Sequence, residues 1–171
     1  YCGEHYCGWQ RLAGTDLPTV QAHLEQALSY VANEPIKVVC AGRTDAGVHA
    51  TNQIVHFDTA ANRQSKAWMM GGNTHLPADI RIKWAQQVDQ HFHARFSARA
   101  RTYRYLIVNT PAPPAIASKQ CLWVRKPLDV AAMQAAANYC LGEHNFNSVR
   151  SSICQAKNPV RTLHSFTITP V

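Results

Sequence analysis

The most informative segment of this chain is CAGRTDAGVHA, residues 40–50, which follows an apolar run. Gly42 and Gly47 allow backbone conformations with positive φ and the close approach of another molecule. Arg43 and Asp45 are two residues apart, so both side chains share one face of an extended segment. Because a nearby arginine favours the ionised carboxylate, Asp45 is a candidate nucleophile or base. A bare Arg-x-Asp sequence would equally fit a surface turn with a structural ion pair.

The longer string AGRTDAGVHA, residues 41–50, resembles the signature of the tRNA pseudouridine synthase A (TruA) family. Further segments that resemble this family are Gly8-Trp9-Gln10, Thr19-Val20-Gln21, residues 73–77, residues 92–98 and residues 101–105. Two departures stand out. The family's opening Tyr-Asp-Gly reads Tyr1-Cys2-Gly3 here, and the family's C-terminal apolar segment is not found before Val171. We therefore expect the chain as given not to catalyse by itself.

The resemblance implies an isomerase that converts uridine to pseudouridine at positions 38–40 of the tRNA anticodon stem-loop. Asp45 would be the nucleophile, and the target base would be flipped out of its stack. Tyr103 would stack on the uracil, and Arg43 would pair with Asp45 and help to displace the base. The family also implies a homodimer that needs no cofactor and no metal. From the residues alone, Tyr103 would equally fit a core aromatic on a strand.

Basic and aromatic residues alternate after residue 91, as on surfaces that bind nucleic acids. A charged strand edge that resists aggregation would have the same composition. A second basic loop, residues 154–161, resembles a family segment that contacts the tRNA, with Lys157 and Arg161 as phosphate contacts. The predicted RNA-binding residues are Phe92, His93, Ala94, Arg95, Phe96, Arg99, Arg101, Cys154, Gln155, Lys157 and Arg161.

The composition favours an anionic partner and a reducing compartment. The 171 residues carry a net charge of +7, which suits nucleic acid. No apolar run is long enough to cross a membrane. The six cysteines form no C-x-x-C pair, so we expect neither a disulfide framework nor a zinc site, in keeping with the cytoplasm. The chain begins at Tyr1 rather than Met, so we expect its natural N-terminus to be missing.

Apolar periodicity predicts an α+β fold with mostly antiparallel sheet. The predicted helices cover a stripe of Val20, Leu24, Leu28 and Val31, residues 66–70 ending at Gly71-Gly72, and residues 129–141 capped by Asp129. The predicted strands are residues 36–40, 52–58, 80–84, 102–108, 121–124 and 163–169.

A Pro-rich segment, residues 111–114, predicts a boundary between two lobes. The first lobe, residues 1–110, carries the Asp45 motif, and residues 111–171 begin a second lobe that is incomplete in this chain. The resemblance implies the pseudouridine synthase fold, in which two ferredoxin-like or RRM-like lobes share one sheet and the active site lies in the cleft between them.

Two other functions fit parts of the sequence. A non-catalytic RRM-like RNA-binding module would use exposed aromatics on a sheet, but the chain has no RNP1-like string and Asp45 would be left without a role. A glycoside hydrolase or N-glycosylase usually needs two carboxylates that flank the cleaved bond, and the motifs offer one. Release of free uracil would distinguish such a hydrolase from an isomerase.

Overall fold

The structure, a computed structural model, describes residues 1–150 and 158–170. It divides into two compact units, Tyr1–Tyr103 and Arg104–Val171. The described residues form three α-helices and three two-stranded sheets, two of them antiparallel and one parallel. This confirms the α+β class. One continuous sheet shared by two lobes, and a lobe boundary at residue 110, stay predictions.

The first helix lies where the sequence predicts it. Helix α1 spans Val20–Ala32, and the Thr19 side chain caps it by accepting a hydrogen bond from the Ala22 N–H. Asn33 ends the helix in the left-handed conformation, with a φ of 58°. The predicted stripe faces the core, with Val20, Leu24 and Leu28 buried and Val31 packed at its border.

Helix α1 also places the strand that leads into the motif. The buried Glu25 accepts hydrogen bonds from the Val38 N–H at 3.1 Å and from the Gln21 amide at 2.9 Å. Its other carboxylate oxygen lies 3.6 Å from the Arg11 guanidinium. A buried carboxylate needs such partners to offset its lost hydration, so Glu25 ties α1 to the segment just before residue 40.

Strand pairing around the motif is shorter than the sequence predicts. Strand β1 covers Val39–Cys40 and pairs antiparallel with β2, Val55–His56, so that Val39 lies opposite His56 and Cys40 opposite Val55. The predicted strands at 36–40 and 52–58 therefore shrink to two residues each. Both predicted positions are right, and β1 ends where the motif begins.

The predicted end of the second helix at Gly71-Gly72 is wrong. Helix α2 runs through both glycines, from Ser65 to His75. A Cβ on Gly71 would lie 3.0 Å from Cγ2 of Val31, and a Cβ on Gly72 would lie 2.5 Å from Cδ1 of Ile82. The two glycines thus allow close packing against α2 and do not terminate it.

Residues 80–84, predicted as a strand, pair with a side chain instead. The Asn73 amide of α2 donates to the Ile82 carbonyl and accepts from the Ile82 N–H, both at 2.8 Å. Ile80 is buried, whereas Trp84 is exposed. One side-chain amide thus satisfies both backbone groups of Ile82, and residues 80–84 pair with no strand among the described residues.

A single hydrophobic core fills the first unit. It joins α1, α2, the N-terminal segment and the residues that lead into the motif. Its buried members are Tyr6, Trp9, Val20, Leu24, Ala27, Leu28, Ala32, Ile36, Val38, Cys40, Trp68, Leu76 and Ile80. The motif loop is therefore attached at its beginning to this core through Cys40.

The second unit contains a parallel and an antiparallel strand pair. Strand β3, Ile107–Asn109, runs parallel to β4, Leu122–Val124. Strand β5, Gly142–Asn145, runs antiparallel to β6, Val160–Leu163. The predicted strand at 102–108 is therefore limited to its C-terminal end, and the strand at 121–124 is confirmed almost residue for residue.

Helix α3 spans Val130–Asn138 and begins at the predicted cap, since Asp129 accepts a hydrogen bond from the Ala132 N–H at 2.9 Å. It ends three residues before the predicted Leu141. Its Gln134 amide donates to the Phe166 carbonyl at 3.0 Å and accepts from the Ile168 N–H at 2.8 Å. The predicted strand at 163–169 is thus bonded to a helix side chain after β6 ends.

Candidate active site and nucleic-acid interface

The motif loop, residues 41–50, leaves the core at the end of β1 and is first held by the two residues that precede β2. The Ala41 N–H donates to the Ile54 carbonyl at 2.8 Å. The Gln53 side chain then makes two bonds to Gly42, accepting from its N–H at 3.3 Å and donating to its carbonyl at 2.5 Å. The start of the loop is therefore fixed through its backbone.

The N-terminal segment holds the rest of the motif loop. The Trp9 N–H donates to the Thr44 carbonyl at 2.9 Å, and the hydroxyl groups of Tyr1 and Thr44 share a hydrogen bond of 2.7 Å. The Gly3 N–H donates to Nδ1 of His49 at 3.2 Å. These bonds join residues 1–3 and Trp9 to the motif loop.

Three glycines contribute to the motif loop in different ways. Gly8 has a φ of +103°, and a Cβ there would lie 2.8 Å from the Thr44 carbonyl oxygen. Gly47 has a φ of +77°, as the sequence allows. Gly42 serves a different purpose, because a Cβ there would lie 3.1 Å from Nε of Arg101.

Asp45 lies on an exposed turn that its backbone closes, since the Val48 N–H donates to the Asp45 carbonyl at 3.2 Å. Its carboxylate accepts no hydrogen bond from residues 1–150 or 158–170. Arg43 is also exposed, and the predicted Arg43–Asp45 ion pair does not form within the described structure. Both groups are solvated, and an exposed ion pair gains only about 0–1 kcal/mol. The carboxylate is free to meet a ligand.

Three arginines converge on the beginning of the motif loop. Burial raises the pKa of the Cys40 thiol, and the positive charges of Arg43 and Arg95 oppose this rise. The Arg101 guanidinium donates to the Ala41 carbonyl at 2.5 Å. Within the described part of the chain none of these three arginines forms an ion pair, so their charge remains available to an anion.

Residues 92–97 build an aromatic platform beside β2. The Ala94 N–H donates to Nδ1 of His56 at 3.1 Å, which docks the segment on the strand. The rings of His93 and Phe96 stack with centroids 4.2 Å apart, and the Arg95 guanidinium lies 5.8 Å above Phe96. Phe96 is 77% exposed. An exposed ring with a cation beside it suits stacking by a nucleobase.

The other predicted site residues differ in accessibility. Tyr103 is 84% exposed, so it is not a core aromatic of the first unit. Ala94 is buried, so its methyl group is not on the surface and its N–H positions the platform. The Arg161 guanidinium donates to the carbonyls of Asn158 and Val160. Cys154, Gln155 and Lys157 lie outside the described residues.

Tyr103 follows closely on a residue that touches the motif loop. Arg101 contacts Ala41 and Gly42, and two residues of chain span at most about 7 Å. The backbone of Tyr103 therefore lies within about 7 Å of the backbone of Arg101. Tyr1, Gln53 and His56 were not predicted as site residues, because their contacts join segments that are distant in sequence.

Across 1–150 and 158–170, no cluster of three or more His, Cys, Asp or Glu side chains could hold a metal ion. In the same ranges, no helix is long and apolar enough to span a membrane.

Comparison with known proteins assigns this arrangement to a class of RNA-modifying proteins. Residues 1–97 match the family model described as tRNA pseudouridine synthase. This match covers the motif loop, the N-terminal segment that holds it and the aromatic platform. The chain therefore belongs to the tRNA pseudouridine synthase family.

Curated relatives agree with the family model. The chain is 56% identical over 165 residues to tRNA pseudouridine synthase A of Alcanivorax borkumensis, covering 96% of this chain and 61% of the relative. It is 54% identical over 164 residues to the protein of that name from Pseudomonas aeruginosa, covering 96% of this chain and 57% of the relative. It is 53% identical over 169 residues to the protein of that name from Nitrosococcus oceani, covering 99% of this chain and 64% of the relative. The chain thus spans less than two thirds of the length of these relatives.

Proposed function

We propose that the protein containing this chain isomerises uridine to pseudouridine in tRNA, at positions 38–40 of the anticodon arm. One observation carries the proposal. Asp45 lies exposed on a turn whose backbone is fixed from two sides, beside arginines that no described acidic group neutralises. A carboxylate that is fixed in place and open to a ligand is suited to nucleophilic attack.

The isomerisation requires the target uracil to be flipped out of its stack in the tRNA. Flipping costs a few kcal/mol, which contacts to the extruded base offset. We propose that Asp45 is the nucleophile, that Tyr103 stacks on the uracil, and that Arg43 helps to displace the base. The exposure of Tyr103 and Arg43 supports both roles, because each side chain is accessible to a ligand. The reaction exchanges a C–N bond for a C–C bond, so it consumes no redox equivalent.

The tRNA backbone would be bound by Arg95, Arg99 and Arg101, with Phe92, His93 and Phe96 offering ring surfaces. Arginine side chains bind phosphate groups, whereas stacking on rings is tolerant of sequence. Lys157 and Arg161 would add phosphate contacts. We further propose two lobes at 1–110 and 111–171, divided at the Pro-rich segment, and a homodimer, as the family implies. The scattered cysteines support a place in the cytoplasm.

A non-catalytic RRM-like RNA-binding module remains the second candidate function. The exposed His93–Phe96 platform favours it, because such a module binds bases on aromatic rings. It predicts tRNA binding without any product. An isomerase would both bind tRNA and form pseudouridine.

The test replaces Asp45 in the complete protein. Asp45→Asn keeps the shape and removes the negative charge, so tRNA binding should persist while the single-turnover rate falls by about 10³ or more. Asp16→Asn is the matched control, because Asp16 is also exposed and lies outside the motif. Pseudouridine and released uracil are both measured, with tRNA transcripts that carry a single uridine at position 38, 39 or 40. Substantial product from Asp45→Asn, or none from the wild type, would contradict the proposal.

A further inference from the structure

The hydroxyl pair of Tyr1 and Thr44 takes no direct part in the proposed isomerisation. The two oxygens lie 2.7 Å apart and are partly buried. The ring of Tyr1 packs at a tilt on that of Trp9, with centroids 5.9 Å apart. The Trp9 N–H donates in turn to the Thr44 carbonyl at 2.9 Å. Thr44 is thus bonded through both its side chain and its backbone to one N-terminal segment.

Asp45 depends on this arrangement for its direction. No described side chain or backbone group donates to its carboxylate, so no partner steers it directly. Its position follows from the backbone on either side, which Thr44 fixes before it and the Val48 N–H closes after it. A loss of order at Thr44 would therefore spread the directions in which the carboxylate points.

We propose that Tyr1 is a positioning residue that acts on Asp45 through the hydroxyl group of Thr44. This inference rests on the proposed function. Tyr1 is not a catalytic residue, because nothing requires it to touch the tRNA. Its hydroxyl group holds Thr44 in the conformation from which Asp45 meets the substrate. A misplacement of about 1 Å in a reacting group can cost about a hundredfold in rate, so the loss of one such bond should be visible in kcat.

The experiment is a double-mutant cycle in the complete protein. Tyr1→Phe and Thr44→Val each remove one hydroxyl group and keep the bulk of the side chain. Each should lower the single-turnover rate about tenfold, with the Kd for tRNA unchanged within about twofold. The double variant should be no slower than either single variant, because both remove the same bond. Thr44→Ser, which keeps the hydroxyl group, should restore most of the rate lost in Thr44→Val.

Tyr6→Phe is the matched control. Tyr6 lies in the same segment, but its hydroxyl group donates to Asp79 at 2.6 Å and not to the motif loop. It should keep the wild-type rate within about twofold. All rates are compared at a temperature where circular dichroism shows each variant folded, and thermal melts report any loss of stability.

Three results would overturn the positioning role while leaving the proposed function intact. They are a wild-type rate in Tyr1→Phe, additive losses in the double variant, and a loss in Tyr6→Phe equal to that in Tyr1→Phe. If Tyr1→Phe does not fold, Thr44→Val and its rescue by Thr44→Ser decide the question. An inactive wild-type protein would instead overturn the proposed function, and the positioning role with it.

Discussion

Gly8 packs directly against Thr44, so that a Cβ on Gly8 would lie 2.8 Å from the Thr44 carbonyl oxygen. The neighbouring atom belongs to backbone and cannot rotate away. The contact leaves no room for a side chain, and Gly8 also has a φ of +103°. Two independent physical reasons therefore require glycine beside the candidate nucleophile.

We expect Gly8→Ala to destabilise the protein by about 2–4 kcal/mol, the sum of a strained backbone and an overpacked contact. Gly14→Ala is the matched control, because Gly14 has a φ of +74° but no atom within 4 Å of an added Cβ. It should cost only about 1–2 kcal/mol, from the backbone alone. Urea denaturation of both variants measures the difference. Equal losses would show that the contact with Thr44 contributes nothing.

Arg101 is expected to act on the motif loop as well as on RNA. Arg101→Lys keeps the positive charge but replaces the planar guanidinium that donates to Ala41. The rate should fall severalfold, while the dependence of tRNA binding on salt stays the same. Single-turnover rates, together with filter binding of tRNA at several salt concentrations, measure these effects. An unchanged rate would show that Arg101 supplies charge alone.

Tyr103 should be replaceable without loss of the fold, because 84% of it is exposed. Tyr103→Phe keeps the ring and should slow the reaction with little change in binding. Tyr103→Leu removes the ring and should also weaken capture of the base, by about 1–3 kcal/mol. Tyr105→Phe, at a tyrosine that is 77% exposed, is the control for a lost surface hydroxyl group. Single-turnover rates, melting temperatures and Kd values are measured for all three. Wild-type behaviour of both Tyr103 variants would remove Tyr103 from the site.

Arg95 should contribute to tRNA affinity in a salt-dependent manner. Arg95→Ala is expected to reduce the slope of log K against log salt by about one unit, as one lost phosphate contact does. Arg63→Ala is the control of equal charge change, since the Arg63 side chain donates to the Val31 carbonyl away from the motif loop. It should leave the slope nearly unchanged. If both variants change the slope equally, the effect comes from net charge and not from a contact.

Local periodicity is sufficient to predict where the three helices lie. It fails for helix ends and strand lengths that depend on contacts between residues distant in sequence. The stripe of Val20, Leu24 and Leu28 lies within one helix, so its spacing alone indicates the buried face. Gly71 and Gly72 resemble a helix end in sequence, but their neighbours Val31 and Ile82 come from other segments. The prediction of strand lengths failed for the same reason, because strand pairing depends on partners that the local sequence does not specify.

The candidate site shows the same division. The family resemblance of the segment that contains Asp45 is confirmed by the comparison of residues 1–97. The structure places Asp45 on an exposed turn, a setting that a bare Arg-x-Asp sequence also fits. The bond between Tyr1 and Thr44 spans 43 positions of sequence, so no local pattern contains it. The ion pair expected from the spacing of Arg43 and Asp45 did not form, because spacing describes direction and not the competition with water.

The amide of Asn73 occupies both the N–H and the carbonyl of Ile82. Exposed strand edges are templates on which other chains assemble, and proteins protect them in several ways. Here one helix side chain saturates the groups that a foreign strand would have to recruit at this residue. In the folded protein, a segment that alternates like a strand therefore leaves neither its N–H nor its carbonyl unpaired at Ile82, and the residue that pairs with both groups, Asn73, comes from α2.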